Sequence, residues 1–307
     1  MHNGEDFAVA SEAAASEAAA SEAAASEPVA SEPALRRAAV LGRPIQHSLS
    51  PALHTAAYAG LGLTGWRYEA FECDEPMLPA FVERLGPEWA GLSLTMPLKR
   101  VALTVADEVS PLASAVGAAN TLVFGQPGGR RRAENTDVAG ILAALREAGL
   151  DRVGAAVILG AGGTAQATLA ALRELGETAP TVLVRDPART EYLCATADRL
   201  GVQPTICGGL PNGAIPEADV VISTLPPGAA DALAGQQQWS TRPVVLDVVY
   251  TPWPTPLAAS ALSAGCRIVS GLAVLLHQAR AQVRLMTGHD APIAVMRQAL
   301  DSAVRSR

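Results

Sequence analysis

Lys99 is the only lysine in a chain of 307 residues whose other 22 basic side chains are all arginine. It sits in the run Gly91-Leu-Ser-Leu-Thr95-Met-Pro97-Leu-Lys99. A lysine amine can give up and regain a proton when its surroundings tune it, whereas a guanidinium keeps its charge. Either a bias against lysine left one survivor, or one position requires a proton-exchanging amine. A second chemical signal is the cluster Gly160-Ala161-Gly162-Gly163-Thr164. Glycines in such a turn let the backbone and the N-terminus of the next helix approach a pyrophosphate. A third is Arg185 with Arg189, two guanidiniums four residues apart that can bracket a phosphate.

The glycine turn has the context it needs. Ala155 to Leu159 reads as an apolar strand, Thr164 to Leu175 as a helix stopped by Gly176, and Thr181 to Val184 as a second strand. This βαβ order is the setting in which a dinucleotide binds, and an acid near the end of the second strand commonly takes the ribose hydroxyls. Here that place holds Val184-Arg185-Asp186-Pro187. The arginines favour NADP. Asp186 followed by proline matches a helix cap, which gives the carboxylate a structural task.

Further apolar strands are predicted at 204–207, 218–223, 244–249 and 267–270, so this part forms a parallel sheet covered on both faces. The first third also alternates. Strands are predicted at 38–41, 66–71 and 91–94, with helices from Pro51 and over 76–85. The expected fold class is α/β, with two α/β domains and a deep cleft between them. One is a substrate domain made of residues 35–136 and 272–307, including helices at 271–285 and 292–304. The other is a Rossmann-type dinucleotide-binding domain over 137–271.

Residues 1–34 differ in kind, because Ser-Glu-Ala-Ala-Ala repeats begin at Ser11, Ser16 and Ser21 and decay into Ser-Glu-Pro. Such a segment favours helix locally but offers no apolar stripe to dock, and is expected to be a disordered tail. Its seven acids, with no lysine or arginine, equal the whole-chain charge of −7, so residues 35–307 are neutral. A neutral body argues against sequence-independent nucleic-acid binding. The one dense basic run, Arg130-Arg131-Arg132, follows Gly125-Gln-Pro-Gly-Gly and reads as a solvated hairpin tip. Deleting residues 1–34 should leave kinetic constants and thermal midpoint nearly unchanged while raising the isoelectric point. A clear fall in either stability or substrate affinity on truncation would show that the tail docks.

The N-terminus shows no secretory pattern, and Cys73, Cys194, Cys207 and Cys266 stand singly, which fits reduced thiols in the cytoplasm and no metal site. The charge-free stretch Val153 to Leu172 has a membrane span's length, but its glycines and polar residues mark a turn instead. His47, His54 and His277 read as structural histidines, and Trp66, Trp89, Trp239 and Trp253 as packing residues.

Eight stretches in order carry a resemblance over residues 38–304. They are Gly42 to His54, Leu94 to Lys99, Gly117 to Leu122, Asn135-Thr-Asp137, Gly160 to Gly163, Ile222 to Pro227, Asp247 to Tyr250 and Gly271 to Gln278. Together they resemble the shikimate dehydrogenase family. The resemblance implies NADP-dependent, reversible reduction of 3-dehydroshikimate to shikimate, with Lys99 and Asp137 as the catalytic pair. It places Ser48, Ser50 and Tyr250 near the substrate carboxylate, and Thr95, Asn120 and Gln278 toward the ring hydroxyls. The cofactor positions it implies are Gly160, Ala161, Gly162, Gly163, Thr164, Arg185, Arg189, Thr224, Leu225 and Gly271. The expected partner is a small-molecule substrate, with no nucleic acid and no membrane, in a monomer or homodimer.

Thr55, Ser93, Val184, Asp186 and Val274 depart from the usual family pattern. They leave open a quinate/shikimate dehydrogenase with relaxed NAD or NADP use. A non-catalytic nucleotide-binding sensor of the same fold is the remaining alternative, against which Lys99 and Asp137 count.

Overall fold

The computed structural model describes residues 35–125, 129–209 and 215–307. The repeat tail and the tip of the glycine-rich hairpin lie outside the described residues. The first part of the chain runs β1 (Arg36–Gly42), α1 (Ser50–Gly60), β2 (Trp66–Glu72), α2 (Leu78–Glu83), β3 (Trp89–Leu94), α3 (Ala102–Val105), β4 (Glu108–Val109), α4 (Pro111–Val116), β5 (Thr121–Phe124) and β6 (Arg131–Glu134). After α5 (Asp137–Glu147) come β7 (Ala156–Leu159), α6 (Gly163–Glu174), β8 (Thr181–Leu183), α7 (Glu191–Leu200), β9 (Thr205–Cys207), β10 (Val220–Ser223), α8 (Asp231–Ala234), β11 (Val244–Asp247), α9 (Pro256–Ser263) and β12 (Arg267–Ser270). Helices α10 (Gly271–Thr287) and α11 (Ile293–Arg305) close the chain.

Two six-stranded sheets result. The second has the order β12-β11-β10-β7-β8-β9 with every neighbour parallel. Its central strands β7, β10 and β11 are buried along their length, which is why they read as unbroken apolar runs, while the edge strands β9 and β12 are partly exposed. The chain reverses its direction of growth between β7 and β10, the crevice where a doubly wound sheet binds its ligand. Leu159, Ser223 and Asp247 stand level in the register, so the loops after three strands emerge side by side.

The first sheet has the order β2-β1-β3-β5-β6-β4 and is mixed. β1 pairs in parallel with β2 and β3, while β5 runs antiparallel to both β3 and β6. The basic run predicted as a hairpin tip reaches into β6. Arg131 pairs with Asp107 at 3.0 Å and Arg132 with Glu134 at 2.7 Å, while Ala133 is buried. Arg131 and Arg132 thus share a strand with a core residue, while Arg130 lies just before it. The segment predicted as one helix over 76–85 is a short 3-10 turn at Glu75–Met77 leading into α2.

Each sheet is packed on both faces. On the first, Leu41, Leu92, Leu98 and Leu122 fill one side, and Leu53 and Tyr58 of α1 with Leu276, Val283 and Met286 of α10 cover the other. On the second, Ile141 and Leu145 of α5 join Leu169 and Leu172 of α6 over β7 and β10. Helices α5 and α10 lie against each other at Gly140, where a Cβ would stand 2.8 Å from the Val274 carbonyl. Through that pair the cores of the two sheets meet, and the site stands at the seam.

Candidate active site

Leu41 and Leu94, the paired ends of β1 and β3, deliver two loops to one edge of the first sheet. The loop after β1 brings His47 and Ser48 and leads into Ser50, the first residue of α1, and the loop after β3 brings Thr95 and Lys99. The loops are tied together, Thr95 N–H donating to the Leu41 carbonyl at 2.9 Å and Arg43 N–H to the Met96 carbonyl at 3.0 Å. Asp137 is the first residue of α5, where a carboxylate faces the positive end of the helix. Asn135 sets that start, its Oδ1 accepting the N–H groups of Asp137 at 3.1 Å and Val138 at 3.3 Å.

Lys99 Nζ donates to Asp137 Oδ2 at 2.5 Å, with the side chains 21% and 10% exposed. The pair is sheltered yet open to one cavity. That cavity, about 220 Å³, is bounded by Ser48, Ser50, Thr95, Tyr250 and Gln278 around the pair. It falls below the roughly 300–1,000 Å³ of pockets for drug-sized ligands, so it suits a small one. Its polar wall consists mostly of neutral hydroxyls and amides. Burial pushes the Tyr250 phenol up, so it stays protonated.

Asn120 is placed behind this wall. Its Oδ1 accepts the Thr136 N–H at 2.7 Å, which turns Nδ2 toward Asp137 Oδ1 and Gln278 Oε1, both at 2.8 Å. Ser48 serves a local turn, its hydroxyl accepting the Ser50 N–H at 3.3 Å. His47 borders the cavity. His54 is fully buried against Tyr68 with a ring separation of 3.9 Å, and desolvation lowers its pKa to about 3, keeping the imidazole neutral. His277 bonds Glu147 at 2.9 Å.

A second cavity of about 650 Å³ opens at the edge of the parallel sheet. Gly160, Ala161, Gly162, Arg185, Arg189 and Leu225 border it. Gly160 has φ +103°, and a Cβ there would meet Thr224 Oγ1 at 2.8 Å, so the turn requires glycine. Gly163, the first residue of α6, lies against Lys99, since its missing Cβ would stand 3.8 Å from Lys99 Cδ. The lysine stem thus spans from the glycine turn to Asp137.

The other expected cofactor positions, Gly163, Thr164, Thr224 and Gly271, do not line the cavity. Thr224 Oγ1 donates to the Leu159 carbonyl at 2.8 Å, fixing the strand end. The Thr164 carbonyl accepts the Thr168 hydroxyl at 2.8 Å. Gly271 begins α10 so close to the preceding loop that a Cβ would overlap the Val248 carbonyl. Asp186 Oδ1 accepts the Ala188 N–H at 3.0 Å, but what it caps is a 3-10 turn, and α7 starts later at Glu191.

Arg100 and Tyr192, to which the sequence reading gave no role, also border this cavity. Arg100, next to Lys99, lies 3.4 Å from the ring centre of Tyr192 at the start of α7. The residues are 92 positions apart, one in the turn after β3 and the other in the first turn of α7, and neither has a periodic or motif signal. The contact gives the cavity a third guanidinium and an aromatic face.

A parallel sheet with a glycine cradle at its switch point, opposed to a lysine–carboxylate pair in a small polar cavity, defines a dinucleotide-dependent oxidoreductase. Similarity to known proteins narrows the class. The shikimate dehydrogenase substrate binding domain matches residues 40–122, and the shikimate 5'-dehydrogenase C-terminal domain matches 271–300. Residues 155–250 match the family of coenzyme F420-dependent NADP oxidoreductases. The shikimate dehydrogenase (NADP(+)) of Methanothermobacter thermautotrophicus is 37% identical over 271 residues, 85% of this chain and 94% of that protein.

Among solved structures, Mycobacterium tuberculosis shikimate dehydrogenase superposes with a TM-score of 0.77 at 45% identity, covering 87% of this chain and 99% of the other. The shikimate 5-dehydrogenase of Thermus thermophilus, in complex with NADP(H) and shikimate, gives 0.75 at 33% identity, covering 88% and 100%. The chain belongs to the shikimate dehydrogenase family.

Among the described residues no group of three or more His, Cys, Asp or Glu side chains is placed to hold a metal ion, and no helix is long and apolar enough to cross a membrane.

Proposed function

We propose that the chain catalyses the reversible, NADP-dependent reduction of 3-dehydroshikimate to shikimate, on the route to chorismate and the aromatic amino acids. The observation that carries this reading is the Lys99–Asp137 pair at 2.5 Å in a 220 Å³ cavity of hydroxyls and amides. The NADP and shikimate named for the relatives support the cofactor and the substrate class. Residues 35–136 with 272–307 act as the substrate domain, and 137–271 as the nucleotide domain.

The residues present fit the cofactor. The turn at Gly160 admits backbone close to a diphosphate, and Arg100, Arg185 and Arg189 bring positive charge to the larger cavity. When bound there, NADPH would supply the hydride for the ketone carbon. Lys99 Nζ donates a proton to the carbonyl oxygen as negative charge develops there, so a C–H and an O–H bond form together and the C=O double bond is lost. In the reverse direction the amine accepts the alcohol proton. Asp137 holds the amine and accepts a hydrogen bond from a ring hydroxyl. Proton occupancy is shared across the two groups and belongs to the pair.

Ser48, Ser50 and Tyr250 bind the ring carboxylate through hydroxyl donors, while Thr95 and Gln278 meet the ring hydroxyls and Asn120, whose amide hydrogens go to Asp137 and Gln278, holds both from behind. An analogue lacking one hydroxyl leaves a buried site group unpaired, the basis of selectivity in such a pocket. All four cysteines are unpaired, which supports a reducing compartment, the cytoplasm; the working unit is a monomer or homodimer.

The test is a two-by-two assay of purified protein with shikimate or quinate against NADP or NAD. Turnover should be greatest with shikimate and NADP. Comparable use of quinate and NAD would favour the relaxed quinate/shikimate reading. Turnover with none of the four pairs, despite nucleotide binding, would make the chain a sensor.

A further inference from the structure

Gln282 lies one helical turn after Gln278 on α10, at the floor of the smaller cavity, and is 1% exposed. Its amide is saturated by the protein. Oε1 accepts the Ser93 hydroxyl at 2.8 Å and faces His54 Nε2 at 3.3 Å. Nε2 donates to Thr121 Oγ1 at 3.1 Å and to the Asn120 carbonyl at 3.3 Å. A side-chain amide offers two donors and two acceptor lone pairs, so no capacity remains for a ligand. Gln278 is the opposite case, with Oε1 taken by Asn120 and no protein acceptor for its Nε2 hydrogens among the described residues.

The hydrogen bonds around Gln282 run in one direction. The Tyr68 hydroxyl donates to Ser93 at 2.7 Å, Ser93 to Gln282, Gln282 to Thr121, Thr121 to Asn120 Oδ1 at 3.0 Å, and Asn120 to Asp137. Two main-chain groups set the sense. The Asn120 carbonyl can only accept and the Thr136 N–H can only donate, which fixes the orientation of both amides. Reversing any member would leave a buried donor facing a donor, so the chain transmits orientation over four side chains.

We propose that Gln282 is a positioning residue. It fixes Thr121 and Asn120, and through them the Asp137 carboxylate that holds Lys99 and the Gln278 amide that meets the ring hydroxyls. The inference rests on reading Lys99 and Asp137 as the proton-exchanging pair.

The test uses the single lysine, since protein labelled with nitrogen-15 at lysine Nζ gives one side-chain amine signal. Gln282→Met keeps the length of the side chain and removes its hydrogen bonds. Thr121→Val keeps the shape and removes the relay, providing a second, gentler route if the first variant fails to fold. In each, the Lys99 signal should move from its wild-type position, kcat with shikimate should fall about tenfold or more, and the Michaelis constant for NADP should stay within about twofold of wild type. A folded variant with an unmoved amine signal and wild-type kcat would reduce Gln282 to a polar core residue and overturn the proposal. A moved signal in a protein whose wild type does not turn over shikimate would instead sustain the positioning role and defeat the assigned reaction.

Discussion

Lys99→Arg is expected to lower turnover of shikimate by about 10²–10⁴-fold, the range a positioned proton donor contributes, with the fold and NADP affinity intact. Arginine keeps the positive charge and can still pair with Asp137, but it does not release a proton at working pH. The substitution therefore separates charge from proton exchange. Lys99 is only 21% exposed and touches the start of α6 through its stem, so some steric cost accompanies the change. A thermal midpoint near wild type would show that the loss is chemical. Retention of most activity would remove the amine from the mechanism.

Replacing Arg185 and Arg189 together with alanine should raise the Michaelis constant for NADP by roughly a hundredfold, since each charge-assisted hydrogen bond to a phosphate contributes about 1.5 kcal/mol or more. The constant for NAD should change little. Both arginines border the larger cavity and are exposed, so the lower end of that energy range applies. Asp186 stands between them with its carboxylate turned into the local cap. Asp186→Ser keeps a capping oxygen and removes a repulsive charge, so NADP should bind modestly tighter with little loss of stability. Equal weakening of NADP and NAD in the double alanine protein would dissolve the clamp, and equal wild-type use of both would point to relaxed cofactor choice.

What the sequence disclosed followed the physics of each signal. The parallel sheet was legible because strands buried on both faces are apolar throughout, and the glycine turn because its strand and helix flank it directly. The β5–β6 hairpin was legible only at its tip, because β6 opens on Arg131 and Arg132 and only the buried Ala133 beside them betrays a strand. Helix α5 was missed for a related reason. It carries Gly140 where a helix former would be expected, a residue demanded by the close crossing of α10. Asp137 was thus found by resemblance, while the helix start that aims it was not.

The site shows the same division. Lys99 stood out by composition alone, and its partner lies only 38 residues on. Ser93 was noted as a departure from the family, but its partners Tyr68 and Gln282 lie 25 and 189 residues away. Such pairings are created by the fold, and no spacing rule reaches them. Asp186 was rightly read as a cap, but of a 3-10 turn, since Pro187 and Thr190 close one turn before α7 begins.

The most direct measurement of the central claim is site-resolved amine modification. An amine-directed reagent has one side-chain target here, besides the N-terminal amine, so peptide mapping gives the extent of labelling at Lys99 and an assay gives the activity that remains. Activity should fall in step with labelling at Lys99, and shikimate with NADP should slow both together. Full labelling at Lys99 with activity undiminished would contradict the assignment of this amine to the reaction.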